Sequence, residues 1–542
     1  MKPENKFAAT GIYALVFGLF LGLAFWKFGN PVILDHKINP PSTLSEFWND
    51  AWPTHWANWI FLPLALAGAL VAFKQNFRWG ESPREPARGD TRPTQKTNWL
   101  WLPPLLWFGW QIFSATKTVD ADLTAATLWQ FSGCVACYFL GALVIGAPST
   151  VSARWSSSFG LPRNTLKREL QPDSHAGTVP GAPRSRNTFS FLLIGILAAF
   201  AFCLVRAVDQ RLVEFPQSHR MLVEGERTGW TNVSPSMLLE MKRENAVVTT
   251  NGVDVANPVY LKKFAQGRVL GTLVYPNALA GAILLLMPLS LTLAFGAKNL
   301  RPAIRAMVVM LTCFLGGAGF FWTGSKLGWL IAMALGGLCL FRMHWSVRLK
   351  FAVFTIVAIL GLGIFAVRFH NYFAAGATSV GARFDYWRAA VQTTVKNPLV
   401  GSGPGTFQRP YERIKSPDAE MARLTHNDYL EQFSDSGIPG GIFYSAWIAL
   451  ALMSIGRKIW KSGNNLPQLE RGRLVRASES SEPAGEPSAL QFAIFIGLLG
   501  WFVQGIGEFS LYIPALAWTA FTLLGCLLAL TGNQFDKNRA VG

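Results

Sequence analysis

Few residues in this chain are placed to do chemistry, and the clearest is a histidine. The run Thr425-His426-Asn427-Asp428-Tyr429-Leu430 sets an imidazole beside a carboxamide and a carboxylate. Thr425 reads as a helix cap, with His426 and Asp428 in the first turn, Tyr429, Leu430 and Phe433 as an apolar stripe and Gly437 near the end. A histidine at a helix start feels the positive end of the helix dipole, which favours neutral imidazole, the form a general base needs. The chain holds 7 histidines, and His426 lies just ahead of an apolar run that begins near residue 437. On the residues alone, a catalytic and a structural role for His426 stand level.

Two arginines lie in similar surroundings. Val380, Phe384, Trp387, Val391 and Val395 recur every three or four residues and predict an amphipathic helix, lying on a membrane or packed on a bundle. Arg383 falls at the border of that face, where an arginine either reaches for headgroups or holds a ligand. Asn397-Pro398 ends the helix, and the glycines of NPLVGSGPGTF permit tight turns without forming a Walker loop. Arg268 opens the stretch RVLGTLVYPNALA, in which Pro276 and Asn277 interrupt apolar sequence. Such an interruption predicts a broken or re-entrant helix lining a cavity, with Asn277 facing that cavity or bonding a neighbouring helix. No paired-histidine or D-x-D spacing accompanies these residues, so no metal and no cofactor are expected. Cys134 and Cys137 form a C-x-x-C inside apolar sequence with no second pair nearby, and read as small packing residues.

These groups must be positioned by membrane helices. Of 542 residues, 51% are hydrophobic and 15% charged, against roughly 25% charged in soluble domains. The formal net charge is +18, but the basic residues are scattered in short runs between apolar segments, which argues against a nucleic-acid-binding domain. Apolar runs near the roughly 20 residues a bilayer needs occur at about 7–28, 55–74, 98–116, 125–147, 189–207, 269–295, 303–322, 326–341, 350–368, 437–456, 489–507 and 510–531. The chain therefore reads as an all-α integral membrane protein of about twelve transmembrane helices, a single polytopic domain over 1–542. Every second connection is rich in Lys and Arg, which places those connections and both termini in the cytoplasm. Cytoplasmic stretches at 76–97, 148–188 and 462–488 read as flexible linkers, whereas the long outer loops 208–268 and 369–436 have patterning of their own.

GRVLGTLVYPNALA, RFDYW, NPLVGSGPGTF and THNDYLEQFSDSGIPGG, taken in order over about 268–441, resemble the bacterial O-antigen ligase and O-antigen polymerase superfamily. The resemblance implies a GT-C-like membrane glycosyltransferase of the inner membrane. Its two long loops would be periplasmic, and it would use neither a metal nor a nucleotide sugar. It implies a donor glycan on undecaprenyl pyrophosphate and an acceptor hydroxyl on lipid A–core, another glycan or a protein. By the same resemblance His426 is the base or acceptor-orienting residue, and Arg268 and Arg383 hold pyrophosphate. Planar guanidinium forks suit that leaving group. Asn277, Lys326 and Tyr429 are supporting candidates. Lys326 stands where relatives often carry Arg, so only an electrostatic role is expected of it. The 208–268 loop is longer than a minimal relative needs, which leaves room for acceptor recognition.

Three other readings compete. A repeat-unit polymerase or a protein O-oligosaccharyltransferase would use the same site on a different acceptor. A ligase defect would leave polymer on the carrier, whereas a polymerase defect would leave single repeats. A transporter or flippase would place ionisable residues near span centres, but Arg206, Lys326 and Glu508 fall near span ends. A purely structural membrane anchor would leave the loop motifs without a purpose.

Overall fold

The computed structural model describes residues 3–76, 99–146, 185–343, 345–374, 378–417, 419–464 and 489–539. The linkers expected at 76–97, 148–188 and 462–488 fall almost wholly outside the described residues. Helices dominate from the start: α1 (Pro3–Lys27), α2 (Leu44–Asn49), α3 (Thr54–Asn76), α4 (Leu102–Ala115), α5 (Ala121–Leu140) and α6 (Ser185–Asp209). The first long loop holds α7 (Phe215–Arg227), α8 (Pro235–Arg243), strands β1 (Val247–Thr250) and β2 (Val253–Ala256), and α9 (Pro258–Gln266). Next come α10 (Pro276–Gly296), α11 (Pro302–Thr323), α12 (Lys326–Arg342), α13 (Val347–Ala374), α14 (Thr378–Lys396) and α15 (Gln408–Ile414). The last helices are α16 (Asp428–Asn464), α17 (Ala489–Gln504) and α18 (Pro514–Arg539).

Each of the twelve expected spans contains a helix, and among the described residues nine helical segments are long and apolar enough to cross a membrane. The three that fall short are α4, α12 and α17, with 14, 17 and 16 residues. The chain is an all-α, multi-pass membrane protein. Its centre is α18, buried along nearly its whole apolar length, while α13 is exposed along nearly all of its own. Lipid tails give helices no hydrophobic reason to associate, so close packing has to hold them together. At the α1–α6 crossing a Cβ on Gly18 would lie 2.2 Å from the Leu192 carbonyl oxygen, so only glycine allows this approach. Trp518 of α18 stacks on Phe20 and Phe61 at 5.8 and 5.0 Å, locking α1 and α3 to the centre.

The 208–268 segment is a folded unit rather than a loop. Leu222, Trp230, Met241, Val247 and Ala256 form its own small core. Its hairpin turns on Asn251-Gly252, both with positive φ, as a tight two-residue connection requires, and is the one departure from an all-α fold among the described residues.

The helix expected to end near Gly437 and the span expected at 437–456 meet within α16 at Gly437, whose backbone (φ 71°, ψ −176°) is not helical, so α16 is two helices joined by a kink. Of the apolar stripe on α14, Val380, Phe384, Val391 and Val395 are exposed, whereas Trp387 is partly buried against the neighbouring cluster. The helix docks through its opposite face, Tyr386, Ala389 and Ala390, against Phe407, Tyr411 and Ala422.

Candidate functional site

Gly267 ends α9 in the left-handed conformation and delivers Arg268 to the edge of the bundle. There the Arg268 guanidinium donates from Nε to the Thr323 carbonyl (2.7 Å) and from Nη2 to Asn277 Oδ1 (3.0 Å). Residues 269–275 are not helical, and their backbone is satisfied inside the protein. Gln210 accepts from the Leu270 and Gly271 amides, and Val274 donates to the Gly29 carbonyl. The expected interruption at Pro276 is thus the start of α10, with proline in its first turn and Asn277 beside it.

Asn277 leads to Glu508, between α17 and α18. The Glu508 side chain is 1% exposed and accepts three hydrogen bonds from distant parts of the chain. Its Oε1 takes hydrogen bonds from Asn277 Nδ2 (2.7 Å) and Arg383 Nη2 (2.6 Å), and its Oε2 takes one from the Tyr275 hydroxyl (2.9 Å). His426 Nδ1 stands 3.7 Å from Oε2, beyond hydrogen-bond length. One buried carboxylate therefore gathers Arg268 (through Asn277), Arg383 and His426, the three residues singled out in the sequence. Burial acts to raise the Glu508 pKa, but the nearby His426 and Arg383 outweigh it and hold the carboxyl below its usual value.

His426 is not in the first turn of the helix. The capping residue is Asn427, whose side-chain oxygen accepts from the Tyr429 and Leu430 amides (both 3.0 Å), while Thr425 caps the turn before it. His426 has a positive φ of 53°, uncommon outside glycine, and is held there because the Thr425 amide donates to the buried Glu431 (2.6 Å). Its ring lies near-parallel to Tyr386 (centroids 6.0 Å) and edge-on to Phe509 (4.7 Å). The imidazole is thus clamped, yet 30% of the side chain remains exposed.

Cations outnumber Glu508 here. Lys326 Nζ sits 3.7 Å above the Tyr372 ring, within electrostatic range of Arg268, Arg383 and Arg368. The Arg368 guanidinium lies over Phe321 and Phe369 (5.1 and 5.6 Å). Burial lowers the pKa of Arg268; Glu508 opposes that, and Arg383 and Arg368 reinforce it. Tyr429, by contrast, turns away and donates its hydroxyl to the Phe502 carbonyl (3.0 Å). The glycine-rich loop is also outside the cluster. Gly405 donates to buried Asp435 (2.7 Å), and Gly403 and Ser402 donate to the carbonyls of Asp435 and Ser434, wrapping the bend of α16.

Residues 311–445 match the O-antigen ligase family. This stretch is similar to that family. The matched segment contains Lys326, Arg368, Arg383 and His426, whereas Arg268, Asn277 and Glu508 reach the site from outside it. Over 146 residues the chain is 28% identical to an uncharacterized protein of Haemophilus influenzae, an alignment covering 22% of this chain and 36% of that protein. The chain thus spans about a third of that relative's length.

Sequence reasoning placed Glu508 among charges at span ends and gave it no role. Its only local signal is a lone acid in the short segment Gly505-Ile506-Gly507-Glu508-Phe509 between two apolar runs. Arg368 carries still less signal, because a lone arginine near the end of an apolar helix commonly snorkels toward headgroups.

Proposed function

We propose that this protein is a metal-independent membrane glycosyltransferase of the O-antigen ligase type. It moves a glycan from undecaprenyl pyrophosphate to an acceptor hydroxyl, on lipid A–core or a related molecule, at the periplasmic face of the bacterial inner membrane. The observation that carries the reading is the convergence of Arg268, Arg383 and His426 on Glu508. Four cations, Arg268, Lys326, Arg368 and Arg383, share that neighbourhood with one carboxylate hydrogen-bonded among them. Like charges held together at a half-buried site favour binding of a multiply charged anion, and a pyrophosphate fits that need.

In the reaction the acceptor oxygen bonds to the anomeric carbon as that carbon's bond to the pyrophosphate oxygen breaks. The electron pair leaves with the polyprenyl pyrophosphate, whose charge Arg268 and Arg383 stabilise. The acceptor proton passes to the His426 ring nitrogen opposite Nδ1. Pyrophosphate is already a good leaving group, so orientation of the acceptor by His426 accounts for part of the rate.

The test is His426→Ala in membranes that carry the host's own lipid-linked donor. Positioned acid–base groups contribute about 10²–10⁴-fold, and a loss in that range is expected, with inorganic pyrophosphate still bound by the purified variant. Transfer at the wild-type rate would remove His426 from the chemistry.

A further inference from the structure

Glu508 is shared between two partners that it does not serve equally. Arg383 holds Oε1 at 2.6 Å, whereas His426 Nδ1 stays 3.7 Å from Oε2. That nitrogen is buried and has no hydrogen-bond partner among the described residues. A buried ring nitrogen left unmatched beside a buried carboxylate calls for an explanation, since such groups normally pair. Arg383, for its part, holds an internal carboxylate although its side chain is 21% exposed.

We infer that Glu508 is a stand-in anion which the donor's pyrophosphate displaces, and that this displacement readies His426. The inference rests on the reading of the site as a pyrophosphate-transfer centre. When pyrophosphate takes Arg383, Glu508 loses the shortest of its hydrogen bonds and closes on His426 Nδ1. An approach of about 0.8 Å makes that contact a normal hydrogen bond. The carboxylate then holds the proton on Nδ1 and leaves the opposite nitrogen free to accept the acceptor's proton, as a carboxylate orients a catalytic imidazole elsewhere. Asn277 and Tyr275 keep Glu508 in place during the exchange. Without donor no partner fixes the proton on Nδ1 of the clamped imidazole, so acceptor or water alone meets no prepared base.

The exchange predicts opposite effects of one substitution. In Glu508→Gln the internal competitor for Arg383 is weakened, so inorganic pyrophosphate binds the full-length protein in detergent severalfold more tightly than wild type. Glycan transfer in membranes carrying the host's own donor and acceptor falls at least about tenfold, because the amide cannot orient the imidazole as a carboxylate does. A Glu508 that only supports the fold would lose binding and transfer together. Unchanged or weaker pyrophosphate binding by Glu508→Gln, with wild type binding normally, overturns the exchange. If Glu508→Gln fails to insert, Glu508→Asp decides. It keeps the charge but is too short to reach His426, so pyrophosphate affinity is retained and transfer falls; unchanged transfer overturns the exchange. Absence of pyrophosphate binding by the wild-type protein overturns instead the functional reading beneath it.

Discussion

Arg383 illustrates how much depends on the shape of a single group. It donates to Glu508 at 2.6 Å while lying within electrostatic range of Lys326 and Arg268. A guanidinium can hold a carboxylate with one edge and offer the remaining donors to a phosphate, whereas an ammonium is a compact point charge. Arg268 divides its donors in the same way, between the Thr323 carbonyl and Asn277. Arg268→Lys and Arg383→Lys are therefore expected to insert normally and to lose transfer by roughly tenfold or more, the cost of about 1.5–3 kcal/mol for a charged hydrogen bond. Wild-type transfer by both lysine variants, at matched protein levels, would remove these arginines from donor binding. Both arginines and His426 stand out in the sequence because apolar surroundings make a polar residue conspicuous. Glu508 does not, because its meaning comes from partners more than 80 residues away in the chain, as the separations of 125 from Arg383 and 231 from Asn277 show.

Among the elements, α16 sets the geometry of the site. Its first turns carry Asp428, Glu431 and Asp435, all buried, and Glu431 anchors the backbone just before His426. Asp435 anchors the glycine-rich loop, whose Pro398 carbonyl accepts in turn from the Ile438 amide just past the bend. The bend itself depends on Gly437, where φ is positive and a Cβ would lie 2.3 Å from the Leu399 carbonyl oxygen. Gly437→Ala combines strain of about 1–3 kcal/mol, in a backbone region essentially reserved for glycine, with a backbone clash costing typically about 1–3 kcal/mol. The expected result is a clear drop in unfolding temperature in detergent and a parallel loss of transfer, since both loops are hung on this bend. An unchanged melting temperature would show that the bend is not held this way. Helix periodicity located α14 and α16 well. It could not choose the face on which α14 packs, because an apolar stripe suits lipid as well as protein.

For the whole molecule, the proposed reaction requires one orientation. Arg268 and His426 belong to the two long connections assigned to the outside by the alternation of Lys and Arg. In a chain freed of its native cysteines, single cysteines near Asp418 are expected to react with an impermeant reagent in intact cells. Cysteines near Ser478 are expected to react only after permeabilisation. The reverse pattern would turn the site to the cytoplasm and defeat both the orientation and the periplasmic assignment. The small unit over 208–268 ends at Arg268 and so adjoins the site.

The sequence by itself determined that this is a many-helix membrane protein and singled out His426, Arg268 and Arg383 as candidates. A bilayer forces apolar runs of fixed length, and polar residues that survive beside them are few and visible. Tertiary structure alone decided that these residues meet on Glu508, that His426 stands before its helix rather than in it, and that Tyr429 faces away. Those outcomes depend on how helices cross and where a chain bends. Contacts such as Gly18 against Leu192 and Gly437 against Leu399 set that geometry, and it leaves no periodic trace in the order of residues.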